Sequence, residues 1–134
     1  MSRPGGPTER KAEEGDVKYV VLIYSNPATW AALPAGEADR VIEVHNDLID
    51  ELIGSGEFLN IYRLAHAGNA RTVALRDGAP AITDGPFGES KEVLASLWEI
   101  DVESLDRALE IAGALTPYAT VEVRPLMDAA GMEM

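Results

Sequence analysis

At 134 residues the chain has the size of one domain and is long enough to bury a core. Eleven basic against 23 acidic residues leave a net charge of −12, and the basic side chains of the body are scattered, at Arg40, Arg63, Arg71, Arg76, Lys91, Arg107 and Arg124, a field that repels a phosphate backbone and argues against nucleic acid. Cysteine is absent, which removes disulfides, thiolate nucleophiles and Cys-based metal sites, and no window offers the roughly 18 uninterrupted apolar residues of a membrane span.

Residues 1–16 are polar and rich in Gly and Pro, without the apolar run of a signal peptide, so they read as a flexible leader and the location as cytoplasmic. Ordered structure is expected over 17–127. Residues 18–24 (KYVVLIY) form a β-branched and aromatic run, a buried strand. Asn26-Pro27 ends it, and a loop through Pro34 and Gly36 leads into a helix over 37–55. Its stripe is Val41, Ile42, Val44, Leu48, Ile49, Leu52 and Ile53, and Gly54 and Gly56 close it. A second strand is expected over 57–64. Strands over 71–76 and 79–83 flank Asp77-Gly78, a strong hairpin signal. Residues 96–102 read as a further strand with Asp101 as the N-cap of a helix over 102–114. Thr116-Pro117 breaks that helix, 119–124 alternates as a last strand, and 128–134 is expected to fray.

The order β-α-β, hairpin, β-α-β predicts an α+β fold: a ferredoxin-like split βαβ with an extra hairpin, its antiparallel sheet carrying two helices on one face. The first strand is apolar on both sides, with Val20, Leu22 and Tyr24 opposite Tyr19, Val21 and Ile23. A sheet covered by helices on one face only should be polar on the other. The second face is therefore expected to pack against another copy, making a homodimer.

Two histidines leave little room for a metal site built on several imidazoles. His45 lies four residues after Val41 and three before Leu48, on the apolar face of the first long helix. Either a backbone group satisfies the ring there, or it works as a general acid/base opening onto a pocket. His66, before Gly68-Asn69, is expected in solvent. In Asp84-Gly85-Pro86-Phe87, Gly85 permits a positive φ, Pro86 fixes its own φ, and Asp84 can bond amides two residues on. Turn chemistry accounts for the motif, with Phe87 as an anchor under the loop; the functional alternative sets Asp84 beside His45. Lys91 and Arg124 are surface cations by default, and Arg124 could face a carboxylate.

The run Thr83-Asp84-Gly85-Pro86-Phe87-Gly88-Glu89-Ser90-Lys91-Glu92 closely resembles the TDGPFAE(T/S)KE signature of the DGPF subgroup of YCII-related proteins. Residues 18–24 and 121–126 are similar to that family's first and last strands. The resemblance implies a ferredoxin-like fold that pairs through its sheets into a dimeric α/β barrel. It implies an active site made of a helix histidine, matched by His45, and an acidic residue, for which Asp84 is the candidate here. Gly85, Pro86, Phe87, Lys91 and Arg124 are then the candidate binding residues. Where DGPF proteins often carry a Gly-Tyr-Tyr-like stretch, this chain has Ala95-Ser96-Leu97-Trp98, which changes the shape expected of the pocket. No cofactor or metal is called for. The activity implied is acid/base chemistry of the lyase or isomerase type on a small organic molecule. The alternative is a non-catalytic ligand-binding or regulatory module associated with an extracytoplasmic-function sigma factor.

Overall fold

A computed structural model describes residues 17–88, 90–128 and 130–133; the leader over 1–16 lies outside the described residues. Its central strand is β1 (Val17–Ser25), followed by a short helix α1 (Pro27–Ala31), the long helix α2 (Glu37–Ser55) and β2 (Phe58–Arg63). A 3₁₀ turn (Ala67–Asn69) then leads into the hairpin β3 (Arg71–Arg76) and β4 (Ala79–Asp84). The chain closes with β5 (Val93–Val102), α3 (Leu105–Ala114) and β6 (Thr120–Pro125). Four strands form an antiparallel sheet in the order β2-β5-β1-β6, while β3 and β4 pair only with each other. Without the hairpin this is the ferredoxin-like order, with the first and third strands central.

Strand period and helix period meet in one core. Along β1 the inward residues are Tyr19, Val21 and Ile23, and the register sets Tyr19 opposite Ile100 and Val21 opposite Trp98 of β5. Leu48 and Leu52 of α2 and Ala108, Ile111 and Ala112 of α3 pack on that face. Leu52 and Trp98 are among the largest fully buried side chains. Every Cβ on the opposite phase of β1 points away from the helices, so Val20 and Leu22 lie on the outer face beside Glu99 and Leu97.

Local chemistry sets the element ends. Helix α2 stops at Gly56, whose φ of 79° is the left-handed conformation that closes a helix without a Cβ penalty. The β3–β4 turn holds Asp77 and Gly78 at φ of 50° and 82°, the two positive values a two-residue hairpin turn requires. The loop expected after Asn26-Pro27 instead contains α1: the Asn26 side chain accepts the Ala28 N–H at 2.9 Å, and Pro27 occupies the first helical turn, where its missing N–H costs nothing. The expected N-cap also moves. Asp101 lies inside β5, opposite Lys18, and it is Ser104 whose hydroxyl accepts the Arg107 N–H at 3.1 Å to start α3. Strand pairing to β1 continues through Val102, which excludes a helix from that segment.

A part-buried ion pair ties α3 to the junction of α2 and β2. Arg107 of α3 donates from Nε and Nη2 to the two oxygens of Glu57, both at 2.9 Å, and Ser55 Oγ donates to Glu57 at 2.7 Å. Arg107 also contacts Glu110. These carboxylates hold the guanidinium even more firmly protonated than usual, hydrogen bonding to Glu57 being the largest cause. The segment after β6, expected to fray, turns back: Met127 bridges Glu133, and the Asp128 carboxylate accepts the Ala130 and Met132 N–H groups, both at 2.9 Å. Among the described residues no helix is long and apolar enough to cross a membrane.

Candidate functional site

Both histidines of the chain line the same pocket, a cleft of about 370 Å³ near α1, α2 and the ends of β1, β2 and β5. The helical phase that buries Val41, Leu48 and Leu52 also turns His45 inward. Its ring meets Trp98 edge to face, with centroids 6.3 Å apart and planes at 88°. Buried in this way, His45 Nε2 has no hydrogen-bond partner among the described residues. Leaving such an atom unsatisfied costs about 1–3 kcal/mol. Its burial, and secondarily the positive charge of Arg63, holds the imidazole below its usual pKa. The ring is therefore a neutral group lining the cleft, with its Nε2 buried and unengaged among the described residues.

The other polar residues reach the cleft from the sheet end. Arg63, the last residue of β2, lines it and makes no ion pair among the described residues, whereas Arg40, Arg71 and Arg107 are all paired with carboxylates. His66 follows two residues after the strand. Its Nδ1 accepts the Gly68 N–H at 2.9 Å, so in the neutral ring the proton sits on Nε2. A Cβ at position 68 would stand 3.0 Å from that Nδ1, so any larger residue there would make the His66 ring shift. Between Ile23 and Tyr24 the β1–β5 register slips: Ile23 faces Ser96 and Tyr24 faces Leu94, leaving Ala95 unpaired with β1. The Ala95 carbonyl accepts the Leu64 N–H at 2.9 Å instead. This bulge re-aims the strand, so that Leu94, Ala95 and Ser96 all line the cleft. The departure from the DGPF pattern at residues 95–98 thus falls on the cleft wall and on the ring packed against His45.

His45 and Pro117 also line a second pocket of about 320 Å³ on the other side of the helix, with Glu37, Arg40 and Tyr118 at its margin. There Arg40 donates to Glu37 at 2.9 and 2.7 Å, and the Tyr118 hydroxyl donates to Glu37 at 3.0 Å. These bonds, the Arg40 pair first, lower the Glu37 pKa. A third pocket of about 330 Å³ shares Leu64, His66 and Leu94 with the His45 cleft and reaches Pro86.

The residues singled out in sequence are distributed around this centre. Pro86 borders the adjoining pocket, and Gly85 is clamped beneath it: its N–H donates to Ala70 O and its carbonyl accepts Thr72 Oγ1, each at 2.8 Å. Asp84 sits opposite Arg71 in the hairpin register and pairs with it at 3.1 Å, on a groove with Thr72 and Thr83. Neither pocket lined by His45 includes Asp84, and its charge is not among those acting on His45. Phe87, expected as an anchor under the loop, is instead 90 % exposed and lines, with Pro86, Tyr24 and Glu92, a separate pocket of about 560 Å³. Lys91 is exposed, and Arg124 lies on the outer sheet face opposite Val20. Sequence patterning passed over Arg63 and Trp30; His66 is exposed, as expected, and what went unseen is that it also lines the cleft. The His66-Ala67-Gly68 turn was the available signal for the last; nothing in the pattern marks which strand-end arginine lacks a partner. Among the described residues no group of three or more His, Asp or Glu is placed to hold a metal ion.

Comparison with known proteins agrees with this architecture. The model of the YCII-related domain matches residues 17–130. An uncharacterised protein of Rhizobium meliloti (strain 1021) is 32 % identical over 112 residues, covering 81 % of this chain and 90 % of the relative.

Proposed function

Since the chain belongs to the YCII-related family, we propose that it carries out cofactor-independent acid/base chemistry, of the lyase or isomerase type, on a small organic molecule bound in the His45 cleft. The observation that carries this reading is His45, a half-buried imidazole whose Nε2 has no partner among the described residues, lining a cleft that also contains the second histidine. A neutral imidazole held below its usual pKa is a base at neutral pH. It takes a proton from a carbon next to a carbonyl, and the electron pair moves onto the carbonyl oxygen. Arg63 and the Nε2–H of His66 are the cleft groups able to stabilise that oxyanion. Return of the proton at another carbon completes an isomerisation; expulsion of a leaving group by the same electron pair completes an elimination. The groups around His45 are Arg63 and His66 on the cleft side, Arg40, Glu37 and Tyr118 on the other, and the Trp98 ring beneath.

The test is exchange of carbon-bound hydrogen for deuterium in small oxo acids and lactones, followed by NMR in D₂O. The wild-type chain should accelerate exchange for at least one compound, and His45→Gln should slow that exchange by roughly 10²–10⁴-fold, the usual contribution of a positioned base. Equal exchange in both chains, or none in either across the panel, refutes the reading and leaves a non-catalytic binding module.

We also propose that the working unit is a homodimer closed sheet against sheet. Support comes from the outer face, where Val20, Leu22, Tyr62 and Leu97 lie on neighbouring strands with no layer of the described residues over them. Burying such a row is favourable at about 25 cal/mol per Å² of apolar surface.

A further inference from the structure

We infer that the His45 cleft selects a compact organic anion, a ring-sized carboxylate or enolate whose charge rests on Arg63 and whose flat body lies against Trp30 and the aliphatic wall. The inference deepens the proposed function and rests on it only for the place of binding. Three observations support it. Arg63 is a cation without an acidic partner among the described residues, in a chain with 23 acidic against 11 basic residues. Arg40 and Arg107 are engaged by carboxylates, whereas Arg76 on the hairpin groove is unpaired like Arg63 among the described residues but has no histidine or aromatic ring in its lining apart from Phe87. A guanidinium at a cleft wall with no carboxylate of its own is free to take an anion from outside, and a planar carboxylate suits its fork of donors.

The wall chemistry limits the rest of the ligand. Ile23, Trp30, Ile42, Leu64 and Leu94 make the lining predominantly apolar, and Ser25, Ser96 and the two histidines supply the few polar groups. That combination of an apolar wall with a few convergent polar groups characterises small-molecule sites. At about 370 Å³ the cleft is near the low end of such sites, about 300–1,000 Å³, which suits a compact body. An anion on Arg63 also cancels the positive field that Arg63 exerts on His45. Binding would then raise the affinity of His45 for a proton when the substrate is present.

Benzoate, neutral benzamide and cationic benzylamine are suitable probes, titrated into the full chain at low salt while the His45 and His66 imidazole resonances are followed by NMR. Benzoate should give saturable shifts at both rings, and benzamide and benzylamine should bind at least tenfold more weakly. Arg63→Gln should weaken benzoate roughly tenfold or more, the usual worth of a charged hydrogen-bonded pair, without weakening benzamide. Arg63→Lys should recover part of the loss. Saturation with benzoate should move the His45 pKa upward. Amide spectra of the variants establish that they fold. The inference is overturned if benzoate produces no saturable shift, if benzamide binds as well as benzoate, or if Arg63→Gln binds benzoate like the wild type. Benzoate has no carbon-bound hydrogen next to its carboxyl group, so its binding is independent of the deuterium-exchange test. A chain that binds benzoate through Arg63 but exchanges no hydrogen keeps this inference and loses the proposed reaction.

Discussion

At His45 burial and the Arg63 charge act in the same direction, and both favour the neutral ring. Removing the Arg63 charge should therefore raise the His45 pKa, whereas Asp84→Asn should leave it in place, because Asp84 is paired with Arg71 and lines neither His45 pocket. NMR titration of the three chains checks both statements; a fall in the Asp84→Asn chain would mean that the carboxylate acts on the ring. The same shift has a stability consequence. The unfolded chain takes up this proton first as pH falls below about 6.5. The contribution of neutral His45 is thus complete above that pH and is lost as pH falls toward and through the lower folded value. His45 on the apolar helix face was legible from its spacing to Val41 and Leu48. Its missing partner was not, since hydrogen-bond satisfaction depends on what other elements bring near.

At the scale of elements, the Glu57–Arg107 pair fastens the start of α3 to the α2–β2 junction, 50 residues away. Arg107→Met should lower stability by roughly 2–4 kcal/mol, somewhat less than for a fully buried pair because Ser55 still bonds Glu57. Urea denaturation reads this directly, and a loss below about 1 kcal/mol would make the pair no stronger than a surface one. Elements with a strong period of their own were visible in sequence: α2 by its stripe and flanking glycines, the hairpin by Asp77-Gly78. The boundary between β5 and α3 was not. Asp101 and Ser104 are both good caps locally, and only pairing of β5 with β1 through Val102 selects Ser104. The β5 bulge at Ala95 was equally hidden, because a one-residue slip is a property of two strands together.

For the whole molecule, the outer sheet face and the hairpin face carrying Val73 and Ile82, 61 % and 71 % exposed, are apolar surfaces left open among the described residues. In the proposed dimer the sheet faces cover each other. Leu97→Glu, next to Leu22 and Tyr62 in the register, should then shift the wild-type dimer to monomer in analytical ultracentrifugation, because an unpaired carboxylate cannot be buried cheaply. A wild-type chain sedimenting as a monomer at tens of micromolar would refute the pairing. A monomeric variant that still binds benzoate would place the cleft entirely within one protomer.

The sequence by itself determined the ferredoxin-like α+β order, the inserted hairpin, the two-sided apolar first strand and the inward phase of His45, since each follows from residue period and turn chemistry within a short window. Only the tertiary structure decided which groups share a cleft. It put Arg63 and His66 in one cleft with His45, brought Leu94 and Ala95 to its wall at the bulge, and kept Asp84 with Arg71 at the base of the hairpin. The reason is physical: a side chain's chemical partners are set by strand register and by the packing of distant segments, and neither is encoded in the spacing of any one segment.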